Sequence, residues 1–409
     1  MNLRSIFNRS FLLLFLFVLS QSAHTELLLH GATIFPAPEA DPVQAGNIII
    51  KDGKIISLET STHTSAKNEI DLSGKFVAAG FWNNHVHYLF EEHELKSDNQ
   101  HLLAEKLTDM FLSRGFVSTV DTGSFPGIIV RIKAKIESGE LIGPRIYRMG
   151  GSFVPEGGSP FYIAPVKLPE LVSVGQAKQI TSEVLQDEVE GIKIFSASWN
   201  TPQSTVLMEP DFARAVVEVA SAQGKLTFAH PSDSDGARVA IDAGVDVLAH
   251  TFPAEIKGPW DRSLPAKMKQ KNVALVPTLK LFRFDLTRIG FPPNLIDRLE
   301  QNAVDQLAAI HQAGNPVLFG TDVGYMSDFD TRQEYLLMER AGLDYSDILN
   351  SLTTAPAALF KVDDHQGMIK AGFQADLVVL NSDPRENVEA FSDIYMVIKD
   401  GEIVFTREN

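Results

Sequence analysis

The feature that most constrains this chain is an alternation that runs through its middle. Short apolar runs at residues 76–87, 116–121, 145–150, 191–196, 226–230, 245–250, 273–278 and 316–321 are separated by longer stretches, several with helical spacing. Runs of this length bounded by turn residues read as strands buried on both faces. Residues 128–138, 211–224, 236–243 and 294–313 repeat apolar side chains at the 3.6-residue period of an amphipathic helix. Strands that alternate with helices make a parallel sheet, and eight of them close into a (β/α)8 TIM barrel. An open doubly wound sheet is the alternative. No glycine-rich nucleotide fingerprint follows any run, so that fold would lack its usual ligand.

Both ends of the chain read differently from the middle. Residues 26–56 contain short strands and the turn Asp52-Gly53, and residues 375–405 repeat the pattern around Asp400-Gly401. Two separate terminal hairpins would each leave an apolar face exposed. One small β-sandwich domain built from 24–75 and 367–409, with the barrel of 76–366 inserted, is the economical arrangement, and 409 residues are enough for both.

Ahead of these elements, Arg4 and Arg9 precede the apolar run 11–19 and the small or polar Ser20, Gln21, Ser22 and Ala23. That order predicts a secretory signal peptide over 1–23, with a periplasmic or secreted mature protein. The run falls short of the roughly 20 residues of a membrane-spanning helix, so no permanent anchor is expected. The chain has no cysteine, which excludes disulfides and acylated cysteine alike. A formal net charge of −16 argues against nucleic acid or an anionic membrane surface as partner. Association into a homo-oligomer is left open.

The barrel reading gives the polar residues at the strand ends their meaning. His85 and His87 end the first run on one face, Lys193 sits inside the fourth, His230 and His250 end the fifth and sixth, and Asp322 follows the eighth. Singly, each has a plain explanation: a hydrogen-bonded core histidine, a helix N-cap or half of an ion pair. Together they occupy the end of the barrel where catalytic groups collect.

With these residues, Gly80 to His87, Gly191 to Phe195, Ala229-His230-Pro231, Leu248 to Thr251, Phe319 to Asp322 and Gly372 to Leu380, the sequence resembles the amidohydrolase superfamily of metal-dependent hydrolases. The likeness is to its binuclear type and to the imidazolonepropionase-like and prolidase-like branch. The resemblance implies two divalent metal ions, zinc first, with manganese, iron or cobalt admitted by the same ligands. It implies one ion on His85, His87 and Asp322, a second on His230 and His250, and a carboxylated (carbamylated) Lys193 between them. Lys193 is flanked by Ile192, Ile194 and Phe195, whose desolvating effect favours the neutral amine that carbon dioxide requires. Asp322 would shuttle the proton of an attacking water shared by the ions. The implied reaction opens a carbon–nitrogen bond of a small substrate, a dipeptide first, with a lactam, carbamate, ester or phosphoester as alternatives. A non-catalytic metal-binding barrel is the remote one. Many relatives have an acidic residue where this chain has Asn83.

Four residues are nominated for substrate contact. Tyr88 follows His87 and is placed to reach a substrate carbonyl. Tyr162 lies in 151–169, a long irregular segment suited to a lid. Lys280 and Arg283 follow the seventh strand, where a cation would hold a substrate carboxylate.

Overall fold

The computed structural model describes residues 26–60, 68–96, 99–252 and 258–407; the expected leader, 1–23, lies outside them. The described chain enters through β1 (Leu27–Ile34), β2 (Val43–Lys51), β3 (Lys54–Glu59), β4 (Asn68–Asp71) and β5 (Phe76–Ala79). The barrel strands and their additions follow: β6 (Phe81–Val86), β7 (Phe116–Asp121), β8 (Arg145–Pro155), β9 (Glu170–Leu171), β10 (Gly191–Phe195), a hairpin of β11 (Ala197–Thr201) and β12 (Ser204–Leu207), β13 (Leu226–His230), β14 (Val247–Ala249) and β15 (Ala274–Val276). The chain returns through β16 (Leu377–Leu380), β17 (Ile394–Lys399) and β18 (Glu402–Thr406).

Strands from both ends form one sheet, in the order β18-β17-β16-β5-β1-β2-β3 with β4 beside β1. The β2–β3 turn puts Asp52 and Gly53 at φ 51° and 75°, and the β17–β18 turn repeats this with Asp400 and Gly401 at 51° and 82°. Both are two-residue turns whose twist matches the flanking strands. The turns also meet. Ala375 donates its N–H to Gly53 O (2.9 Å) and accepts from Gly401 N (3.0 Å), and a Cβ on Gly401 would lie 2.9 Å from Gly53 Cα. Leu29, Ile48, Ile55, Val77, Leu377 and Ile398 fill the core of this domain.

The run expected as the first barrel strand divides at Gly80. Phe76–Ala79 pairs with β1 and β16 in the terminal sheet, and the barrel begins at Phe81. Gly80 makes the crossing: its N–H reaches Asp376 O, and any Cβ would lie 2.4 Å from Val117 Cγ2.

The barrel runs β6-β7-β8-β10-β13-β14-β15, all parallel. Residues 316–323 hold the eighth place. Leu318 N donates to Leu275 O on one side, Asn84 N to Phe319 O and Asp322 N to His85 O on the other. Only isolated bridges form along this segment, at Val317 and Val323, and Asp322 between Thr321 and Val323 holds φ 61°. Trp82, Val120, Met149, Phe228, Val247, Val276 and Leu318, one from each of seven positions around the barrel, pack its centre. The interior is therefore a core, not a pore.

Helices α1 (Gln100–Met110), α2 (Pro126–Glu137), α3 (Val174–Val184), α4 (Pro210–Ala222), α5 (Ser234–Ala243), α6 (Leu264–Lys271), α7 (Leu279–Ile289), α8 (Pro293–Gln312) and α9 (Arg332–Arg340) surround it. The four helices expected from periodicity are α2, α4, α5 and α8. Strand three departs from expectation by running on to Pro155, so the irregular segment after it is shorter than 151–169. A bulge lets it continue: Lys193 faces Gly151 and Ile194 faces Phe153, leaving Ser152 extra at φ 51°. Among the described residues no helix is long and apolar enough to cross a membrane.

Candidate metal centre and active site

His85 and His87 leave the end of β6 toward Asp322. Their Nε2 atoms lie 3.6 and 3.0 Å from Asp322 Oδ1. The His85 ring is 4.4 Å from that of His250, which is 4.8 Å from that of His230. Four imidazoles thus form a continuous arc over the barrel end. Lys193 lies buried beside them, its Nζ 5.8 Å from the Phe195 ring centre.

The charges inside this cluster are set by burial. Desolvation lowers the Lys193 pKa to about 7, against the attraction of Asp322. Desolvation, followed by neighbouring Lys193 and histidine charges, pushes His85, His230 and His250 well below the usual histidine value. These rings are neutral at neutral pH, with lone pairs available to an ion. Burial also opposes protonation of His87, but hydrogen bonding and attraction from Asp322 outweigh it and raise its pKa.

The His87–Asp322 contact is informative in itself. His87 Nδ1 lies 3.1 Å from Gly123 O, which can only accept, so Nδ1 carries the hydrogen. In the neutral ring Nε2 is then a lone pair pointing at a carboxylate oxygen 3.0 Å away. Two acceptors at that distance repel unless a cation or proton lies between them. Asp322 Oδ1 and His85 Nδ1 are both buried without a hydrogen-bond partner. Ligand atoms of His85, His250 and Asp322 lie within 4.8 Å of one another. The donor set fits a divalent metal site.

The surroundings hold this geometry under strain. Ser232, His250, Thr278 and Asp322 have positive φ at or just beyond the C-terminal ends of barrel strands, and Ser152 has it in the β8 bulge. Such conformations cost about 1–3 kcal/mol each and persist only where neighbours impose them. Thr278 Oγ1 donates to Pro277 O and accepts from His250 Nδ1 at 2.6 Å, which turns His250 Nε2 outward. Glu334, fully buried on α9, receives the N–H groups of Leu279 and Lys280, both at 2.8 Å, and so fixes the start of α7. Asn83 donates to Thr321 Oγ1 (2.7 Å) and accepts from Thr321 N (3.2 Å), tying β6 to the segment that carries Asp322. The amide at this position acts as a two-way clamp that a carboxylate could not reproduce unchanged.

Above the cluster is a cavity of about 1170 Å³, with His85, His87, Lys193, His230, His250 and Asp322 on its floor. Of the four nominated substrate contacts, Tyr162 lines this cavity, its ring 5.6 Å from that of Tyr325. The other three face elsewhere. Tyr88 is fully buried with its hydroxyl 2.7 Å from Thr119 Oγ1. Lys280 is spent on Asp328 and the Asp330 carbonyl, and Arg283 on Glu300 and Asp297. Neither cation is free to receive a substrate carboxylate, because each meets acids from other elements.

Among the polar cavity residues that the sequence did not single out are Asp121, Asp285 and Tyr325. Asp121 ends β7, buried, with Oδ2 unpartnered. Its strand-end position was a usable signal. Asp285 and Tyr325 carried none, since one lies within α7 and the other in a loop. Burial holds the Asp285 carboxyl up to about 6, although Arg288 at 2.8 Å and the Tyr325 hydroxyl at 3.1 Å favour its ionised form.

Residues 76–404 match the family model described as the amidohydrolase family. The chain belongs to the amidohydrolase family. This amidohydrolase is a hydrolase acting on carbon–nitrogen bonds. It is 20% identical over 417 residues to ochratoxinase of Aspergillus niger, covering 90% of this chain and 83% of that protein. It is 23% identical over 407 residues to L-hydantoinase of Paenarthrobacter aurescens, covering 86% and 85%. Among solved structures, a Xaa-Pro dipeptidase with bound methionine superposes with a TM-score of 0.80 at 21% identity, over 94% of this amidohydrolase and all of the dipeptidase chain.

Proposed function

We propose that this amidohydrolase is an exported enzyme that hydrolyses the amide bond of a small substrate, a dipeptide first, with two divalent ions, zinc foremost. The observation that carries the reading is the meeting of His87 Nε2 and the Asp322 carboxylate at 3.0 Å within an arc of four imidazoles. His85, His87 and Asp322 hold one ion in this reading, and His230 and His250 the other. Lys193 joins them after its neutral amine adds to carbon dioxide, forming an N–C bond and releasing a proton. That step would replace a titratable amine with an anion, which suits a site otherwise supplied with imidazoles and one carboxylate.

When bound, the ions would acidify a water and polarise the scissile carbonyl. Asp322 takes the proton of the attacking water and delivers it to the leaving nitrogen, so that bond cleavage releases a neutral amine. Its lodging between His85 and His87 limits the carboxylate to small movements, which keeps the proton at one atom. Asn83 and Thr321 keep that atom in register with β6. Tyr162 and Tyr325 face each other across the wall and narrow the space for the substrate.

The test is amine release from a dipeptide panel, including Xaa-Pro and Xaa-Arg series, by protein whose metal content is assayed first. Hydrolysis that a chelator abolishes and added metal restores is expected. Silence from fully metallated protein toward peptides and other amides alike would reject the reading.

A further inference from the structure

The cavity is larger and more apolar than a free dipeptide needs. At about 1170 Å³ it exceeds the roughly 300–1,000 Å³ of pockets that enclose drug-sized ligands. Trp199 comes from the β11–β12 hairpin, Tyr162 from the segment after strand three and Phe252 from beyond β14, so separate insertions all present rings to the same space. At the opening, Leu89, Phe125 and Ile289 are 44, 49 and 48% exposed. They belong to the turn after β6, the N-cap of α2 and the last turn of α7, and all three line the cavity. Large side chains left in water and converging on one mouth mark a binding surface.

Charge points the same way. Besides Lys193, the cationic residues lining the cavity, among those described, are Arg148 and Lys167. Arg148 is buried and donates to Glu188 O at 3.3 Å, and Lys167 lies exposed on the outer segment. Asp285 is already engaged by Arg288 and Tyr325. Away from the histidine cluster the lining is mostly apolar, with the charged Lys167, Glu91 and Asp187 at its exposed edge.

Building on the amide-hydrolysing reading above, we infer that the substrate is an amide carrying a large uncharged apolar group, long-chain or aromatic, which lies along this wall and reaches the Leu89, Phe125 and Ile289 collar. Each methylene moved from water onto such a wall favours binding several-fold.

The experiment compares N-acetyl-, N-lauroyl- and N-(2-naphthoyl)-phenylalanine, and the same three acyl groups on glycine, as substrates of the metal-loaded full chain. Amine release should give a kcat/KM at least 100-fold higher for the best large amide than for N-acetylglycine, and the lauroyl and naphthoyl arms tell chain from ring. The double variant Phe125→Ala/Ile289→Ala, altered only at exposed positions, should narrow the large-to-small ratio about tenfold. Binding of the same compounds to Asp322→Asn protein, followed by tryptophan emission, gives the size ranking without turnover. Equal kcat/KM across all six would overturn the inference and leave amide hydrolysis standing. Size-ranked binding with no amide cleaved by the metal-loaded enzyme would uphold the apolar occupant and overturn the amide reading instead. Neither turnover nor size-ranked binding would overturn both.

Discussion

His250 Nδ1 lies 2.6 Å from Thr278 Oγ1, and both residues hold positive φ angles. The hydroxyl therefore fixes the ring of a candidate ligand from the far side, and Glu334 fixes the hydroxyl by anchoring α7. Outer contacts of this kind are worth about 10–100-fold in metal affinity. Thr278→Val should lose metal to a competing chelator by about that factor while the far-UV spectrum and Tm stay near those of the parent, and Thr278→Ser should restore most of it. Unchanged metal retention in the valine variant would remove Thr278 from the site.

Asp322→Asn keeps the shape of the side chain but removes its capacity to accept a proton. Turnover should fall by about 10²–10⁴-fold, the usual contribution of a positioned proton carrier. Metal content measured on the same sample should stay close to the parent's. A variant that turns over at the parental rate would refute the proton-transfer role.

Lys193 offers a direct chemical signature. Protein metallated in the presence of ¹³C-bicarbonate should show one carbamate carbon resonance, absent from Lys193→Met. A bare amine in fully metallated, active protein would replace the bridging arrangement with a simpler one.

Arg145 ties the N-terminal end of strand three to the terminal sheet through Asp376 at 2.9 Å and Asp400 at 2.7 Å. It lies at the end of the barrel away from the histidines, where contacts serve stability rather than chemistry. Arg145→Met leaves a nearly buried Asp376 unpaired and should cost about 2–4 kcal/mol in chemical denaturation. Its kcat at a temperature where both proteins are folded should match the parent's. A loss of kcat without a loss of stability would contradict this division of labour.

Asp285 predicts a pH dependence of stability. Its folded pKa, about 6, lies above the ordinary 3.8. A raised carboxyl favours the fold fully below about pH 4, and that contribution is lost as pH rises through about 6. Two units correspond to about 3 kcal/mol at most, lessened by partial exposure. Asp285→Asn should therefore flatten the decline in unfolding free energy between about pH 4 and 7. An identical slope in parent and variant would show that burial does not hold the proton there.

Much of this architecture is legible in the chain because its causes are local. Buried strands such as Leu226–His230 and the Asp-Gly turns announce themselves by periodicity and by residues that tolerate positive φ. The histidines were readable because each ends an apolar run. The eighth strand was readable as a position only, since residues 316–323 pair through isolated bridges and single hydrogen bonds rather than a full ladder. Lys280 and Arg283 misled for a related reason: their partners Asp328, Asp297 and Glu300 stand near only after folding. The same holds for Glu334, whose support of His250 acts through a different helix.

The meeting of Gly53 with Gly401 also bears on how the protein comes into being. The central strands of the terminal sheet are made early, yet β16 to β18 emerge only after the whole barrel has been synthesised. Until then β5 offers an open edge to any other chain, a liability during slow assembly of a fold rich in long-range pairing. Only β16, from the far end of the described chain, closes that edge. Removing β16 to β18, which leaves the β5 edge uncovered, should harm yield and solubility more than it harms the chemistry of any molecules that still fold.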